Sequence, residues 1–112
     1  MSIRNMLCSP PTVALAVALA ALLVPAPASA SAAVSQKAGC SVCHQLDKKG
    51  LGPSYQQIAA RYRGDAKAAA LMAQRVRQGS KGIWGKVPMQ PVPAAKISDA
   101  DLKSVVDWIL TQ

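Results

Sequence analysis

Three residues in the first half of the chain carry a recognisable chemistry. Cys40, Cys43 and His44 stand in the run Gly39-Cys40-Ser41-Val42-Cys43-His44, a C-x-x-C-H spacing that marks covalent attachment of a c-type haem. On a helical turn the two cysteines lie at i and i+3 on one face, where both thiols can reach the vinyl groups of one porphyrin. His44 follows directly and can turn its imidazole under the ring as the proximal iron ligand. Two other uses of paired cysteines fit less well. A thioredoxin-like C-x-x-C belongs in a strand–helix context, and no alternating β-branched run precedes Cys40. Half a zinc site needs further ligands, yet His44 is the only histidine and Cys8 the only other cysteine.

An iron held by His44 on one side calls for a ligand on the other. With histidine exhausted, a methionine thioether is the next candidate, and it would raise the reduction potential. Beyond the N-terminal thirty residues the methionines are Met72 and Met89. Met72 lies mid-helix beside Leu71, where core packing is the ordinary role. Met89 sits between Pro88 and, two positions on, Pro91. Prolines restrict the backbone on either side, so Met89 can be presented at small ordering cost and is the favoured ligand.

The elements that must position these residues occupy a short chain. Its 112 residues allow one small domain, with 13 Lys+Arg against 5 Asp+Glu. Residues 1–30 have the three parts of a cleaved secretory signal: basic Arg4, the apolar run Val13 to Val24, and the helix-breaking, small-residue stretch Pro25 to Ala30. The apolar run is well short of the ~20 residues that span a bilayer. Cleavage is expected after Ala30, with Ala28 and Ala32 as alternatives, leaving 31–112 as the haem-bearing domain with no membrane span. There is no Arg-Arg pair, which favours the general export route. Cys8 leaves with the signal, and Cys40 and Cys43 are consumed by thioether bonds, so no structural disulfide is expected. So small a domain has a thin core and needs a staple; the haem would serve as both.

No segment alternates as a strand does, and the expected architecture is all-α. A weakly helical lead-in, Ser31 to Lys37, runs into the haem motif. Ser54 caps a short helix, Tyr55 to Tyr62. Asp65 caps the next, Ala66 to Gln78, which Gly79 stops and whose inner face is marked by Leu71 and Val76. From Gly79 to Lys96 the glycines and prolines rule out long regular structure. Ser98-Asp99-Ala100-Asp101 is a capping-box pattern, and Leu102, Val105, Val106 and Ile109 then form the apolar stripe of a packed helix, with Trp108 and Ile109 expected to bury the most area.

The ordered set of Gly39-Cys40-Ser41-Val42-Cys43-His44, Gly52-Pro53-Ser54-Tyr55, Ala73-Gln74-Arg75-Val76, Gly79-Ser80-Lys81-Gly82-Ile83-Trp84-Gly85, Val87-Pro88-Met89 and Ser98-Asp99-Ala100 leading to Trp108-Ile109-Leu110 resembles the small bacterial class I c-type cytochromes of the c-551 type. The resemblance covers nearly all of residues 37–112. It implies a class I fold of short helices wrapped around one covalent haem c, with Met89 as distal ligand. It also implies that the Pro53 carbonyl accepts a hydrogen bond from the His44 ring, and that Trp84 and Arg75 contact a haem propionate. Gln90 and Val92 stand where the family usually has a proline and a nearby asparagine. The loop to Ser98 is a few residues longer than the commonest form, and Ser31–Gly39 lacks the aromatic usual in the first helix.

These readings converge on a monomeric periplasmic carrier of one electron that is not an enzyme, since two protein ligands leave no open iron position. The basic balance suits redox partners with acidic docking surfaces, met by Lys48, Lys49, Lys81 and Lys86. Nucleic-acid binding, which charge alone would allow, is disfavoured in an exported chain without a basic cluster. The competing readings are a haem-bearing subunit of a periplasmic dehydrogenase or reductase, and a ligand-binding sensor or peroxidase-like protein in which Met89 dissociates.

Overall fold

The computed structural model describes residues 27–112. The apolar run of the expected signal lies outside them. Four helices follow in order: α1 (Pro27–Lys37), α2 (Tyr55–Tyr62), α3 (Ala68–Gln78) and α4 (Asp99–Ile109), with a short 3-10 turn, Cys40–Val42, after α1. Among the described residues there is no strand, only one antiparallel bridge between Ser80 and Met89, and no helix is long and apolar enough to cross a membrane. The all-α expectation holds.

α4 is the element on which the others pack: α1, α2 and α3 all contact it. The reason is its apolar stripe. Leu102, Val105, Val106 and Ile109 are buried at i, i+3, i+4 and i+7, and each such side chain contributes about 1.5–3 kcal/mol when removed from water. Tyr55, Ile58, Met72, Ile97 and Ala38 complete the core. Val106 is almost wholly enclosed, Ile109 is buried, and the half-buried Trp108 packs against the same core. Ser98 starts the helix by accepting from Asp101 N (3.1 Å), one half of the expected box.

α1 begins earlier than the lead-in read from the sequence. Pro27–Ala30, expected to break the helix, forms its first turn, because proline is well suited to the first helical position. Burial starts at Ser31, and Ser31, Ser35 and Ala38 are the buried residues of this stretch. Small side chains let α1 approach α4 closely, and Ser31 Oγ donates to Ser104 O (3.3 Å).

α2 has the bounds that its sequence predicts. Ser54 Oγ accepts from Gln57 N (3.1 Å) and the Gln57 side chain accepts from Ser54 N (2.9 Å), a complete capping box. α3 differs. It starts at Ala68, not Ala66, because Asp65 closes a turn: its carboxylate accepts from Lys67 N (2.9 Å) and its carbonyl from Ala68 N (3.1 Å). The inner face of α3 is Ala68 and Met72, with Leu71 and Val76 half-buried. Gly79 ends the helix as expected.

A candidate haem site

The haem motif is shaped by backbone geometry before any side chain is considered. The 3-10 turn places Cys43 N on Cys40 O (3.2 Å) and His44 N on the same carbonyl (2.9 Å). The chain then loops back on itself. Gly52 N donates to Cys43 O (3.0 Å) and Tyr55 N to Gln45 O (2.8 Å), so the start of α2 is laced to the residues after His44.

That lacing builds a seat for the imidazole. His44 Nδ1 lies 2.7 Å from Pro53 O. A carbonyl can only accept, so Nδ1 carries the proton and Nε2 keeps its lone pair for a metal. The Tyr55 ring stacks on the imidazole at 5.9 Å between centroids and 21° between planes. Gly52 closes the remaining approach: a Cβ there would stand 2.7 Å from His44 Cε1 and 3.0 Å from Nδ1. Only glycine admits the ring. Tyr55 is itself held edge-on by Trp108 of α4 (5.2 Å, 68°), which connects the seat to the core.

A second wall of the site comes from the loop after α3. Ser80 and Met89 exchange both backbone hydrogen bonds (3.1 and 2.8 Å), and Val92 N donates to Val76 O (2.9 Å). Gly79 permits this return, since a Cβ there would meet Met89 O at 2.7 Å. Arg77 ties the far end of the loop to α4, donating to Val92 O (3.1 Å), Ile97 O (2.9 Å) and Asp99 Oδ1 (2.6 Å).

Between the two sides lies a cavity of about 460 Å³, within the ~300–1,000 Å³ of ligand sites. All seven residues singled out from the sequence line it: Cys40, Cys43, His44, Pro53, Arg75, Trp84 and Met89. Met72 lines it too, so both candidate thioethers face the same space, Met72 from the buried core and Met89 from the half-exposed loop. Arg75 donates to the Tyr62 hydroxyl, which gathers Arg75 and Tyr62 at this cavity. Sequence reasoning missed Gly52, Tyr55 and Tyr62 as parts of the wall. Gly52 and Tyr55 were legible only as members of the Gly52-Pro53-Ser54-Tyr55 run, and nothing local marked Tyr62.

The donor set fits a covalently held haem. Two free, half-buried thiols stand three residues apart beside an imidazole with Nε2 available and a thioether opposite in the chain's order. The rest of the lining is largely aliphatic and aromatic, as a porphyrin requires. Burial pushes the Cys40 thiol above its ordinary range and keeps it neutral. The Tyr55 phenol is also pushed up, mainly by burial. Its nearby hydroxyl neighbour, Ser35, donates to Ala32 O (2.8 Å), and among the described residues the Tyr55 oxygen has no hydrogen-bond partner.

Comparison with known proteins points the same way. The family model described as Cytochrome c matches residues 28–112. Cytochrome c2 of Rubrivivax gelatinosus is 67% identical over 79 residues, covering 70% of this chain and 93% of that protein. Cytochrome c-551 of Allochromatium vinosum is 46% identical over 77 residues, 69% of this chain and 80% of that one. The crystal structure of wild-type Nitrosomonas europaea cytochrome c552 superposes with a TM-score of 0.67 at 42% identity, covering 71% of this chain and 96% of that structure.

Proposed function

The chain belongs to the cytochrome c family, and from that premise we propose that it is a periplasmic one-electron carrier whose iron is held by both His44 and Met89. As a class I cytochrome c it is an electron carrier rather than an enzyme and bears one haem c, attached through Cys40 and Cys43. The haem supplies an Fe(II)/Fe(III) couple whose potential depends on its axial ligands and on burial. Everything else is the work of the chain. Pro53 O fixes the His44 tautomer, Gly52 and Tyr55 hold the ring in place, and the bridge at Ser80 presents Met89. Arg75 and Trp84 are suited to a propionate, through a guanidinium and an indole N–H.

The observation that carries this reading is the convergence of Cys40, Cys43, His44 and Met89, from two separate stretches of chain, on one largely apolar cavity. Two protein ligands would leave no iron position for a substrate. Val42, Leu51 and Val87 line the cavity yet are 77%, 62% and 60% exposed, an apolar rim where a partner could come within electron-transfer range. Lys48, Lys49, Lys81 and Lys86 are exposed, and among the described residues none forms an ion pair. Exposed, unpaired lysines suit a partner with an acidic docking surface, since complementary fields speed encounter. Residues 1–30 would direct the chain to the periplasm and be removed there, leaving 31–112 as a monomer.

Visible spectra of the purified protein in both redox states test the assignment. Low-spin spectra with a sulfur-to-iron band, lost in Met89→Ala and kept in Met72→Ala, are expected. A Met89→Ala spectrum identical to the parent would show that the distal ligand is elsewhere. Ready binding of carbon monoxide by the reduced parent would sink the carrier reading in favour of a ligand-binding protein.

A further inference from the structure

The segment between Ser80 and Met89 packs Trp84 against the core but is hydrogen-bonded at its neck and almost nowhere else. Ser80 and Met89 close it by their paired backbone bonds. Among the described residues a single hydrogen bond reaches residues 81–88, and it comes from outside: Arg61 Nη1 of α2 donates to Ile83 O (2.9 Å). The same guanidinium lies 4.4 Å from the centroid of the Trp84 ring and 5.8 Å from that of Tyr62. Ile83 and Trp84 stand between Gly82 (φ 75°) and Gly85 (φ 124°), two points at which the backbone can swing without side-chain hindrance. Trp84 lines the cavity whereas Arg61 does not. Arg61 is exposed and joins no ion pair among the described residues. Its charge is spent on one carbonyl and two aromatic faces.

We propose that Arg61 is a positioning residue that latches the Ile83–Trp84 flap over the site from outside, and so keeps Met89 on the iron and external ligands off it. The proposal rests on Met89 being the distal ligand. An incoming ligand must displace Met89, and displacement requires the segment that ends at Met89 to lift. Lifting it breaks a charge-assisted hydrogen bond and removes a cation from the Trp84 face, both of which favour the closed arrangement.

Titration of the ferric holoprotein with imidazole, followed by loss of the sulfur-to-iron band, tests this. Arg61→Ala should bind imidazole about 10-fold more tightly than the parent, the scale of one charged hydrogen bond and one exposed cation–π contact. Arg61→Lys should fall between, because an ammonium retains the ring contact but lacks the planar fork. Arg63→Ala, which removes the same charge two residues away, should stay within about twofold of the parent. Amide exchange at Ser80 and Met89, whose N–H groups close the neck of the flap, should accelerate in Arg61→Ala alone. An Arg61→Ala affinity and exchange pattern equal to the parent overturns the latch, as does an equal rise in Arg61→Ala and Arg63→Ala, which would make it a net-charge effect. A spectroscopically silent Met89→Ala would instead overturn the ligand assignment, and the exchange of the Ser80 and Met89 amides would still decide whether Arg61 holds the flap.

Discussion

Gly52→Ala isolates the seat of the imidazole. Gly52 is not in the left-handed region, so alanine is compatible with its backbone. By unfolded-state entropy alone the change should stabilise the protein by about 0.4–1 kcal/mol. The added methyl, however, would stand 2.7 Å from His44 Cε1, 3.0 Å from Nδ1 and 3.3 Å from Nε2. Carbon atoms pack at about 3.5–4.0 Å, so the ring or the Gly52 segment must move by about 1 Å. The ring is held by the 2.7 Å contact from Nδ1 to Pro53 O, and a shift of that size breaks a bond that holds to about 3.2 Å. Overpacking costs about 1–3 kcal/mol and the lost bond about 0.5–1.5 kcal/mol, which together outweigh the entropic gain. A net loss of about 1–3 kcal/mol would lower Tm by about 5–20 °C in a domain of this size. Thermal unfolding of the holoprotein, with the visible spectrum and reduction potential recorded below the transition, measures both effects. The destabilised variant should also shift in potential, because its imidazole has lost the fixed tautomer. A Gly52→Ala protein at least as stable as the parent, with unchanged potential, refutes the reasoning.

Arg77→Ala offers a contrast, since it should destabilise without touching the imidazole. Losing the bonds to Val92 O and Ile97 O should cost about 2–4 kcal/mol and leave the potential near that of the parent. Asp99→Asn should have little effect because the Asp99 side chain is 91% exposed; an equal loss in the two variants would mean that the ion pair, not the carbonyls, is what Arg77 contributes. Haem removal is the severest test. The cleft is bordered by the core side chains Ile58, Met72, Leu102, Val105 and Ile109, each worth about 1.5–3 kcal/mol when kept from water, so wetting a few of them offsets the ~5–15 kcal/mol stability of a typical domain. The Cys40→Ser, Cys43→Ser double variant should therefore show no cooperative thermal transition by circular dichroism, and a sharp transition near the parent Tm would refute that estimate.

Much of the fold was legible because the signals are local. Ser54 and Gln57 cap α2 within four residues, so its bounds followed from the sequence alone. The stripe on α4 is a periodicity that only a buried helix face explains. The start of α3 was misread for an equally local reason: Asp65 can serve a turn or a helix, and its side chain chose Lys67 N. The inner face of α3 fell on Met72 instead of Leu71 because the packing direction is set by α4, which lies more than twenty residues away in sequence. At the site, Pro53 was expected on the strength of family resemblance, whereas the roles of Gly52 and Tyr55 required the loop from Cys43 to be seen folding back.

Cys40-x-x-Cys43-His44 by itself determined that the chain carries a haem, because two thiols and an imidazole at that spacing have few other uses, and Met89 between its prolines was already the better candidate for the distal side. What only the tertiary structure decided is how the two ends meet. The imidazole is seated by Gly52, Pro53 and Tyr55, and the methionine loop is reached by a guanidinium from α2. Neither arrangement has a sequence signature, since each is made by side chains and carbonyls brought together across loops. Spacing within a turn is a property of the chain; contact across a loop is a property of the fold.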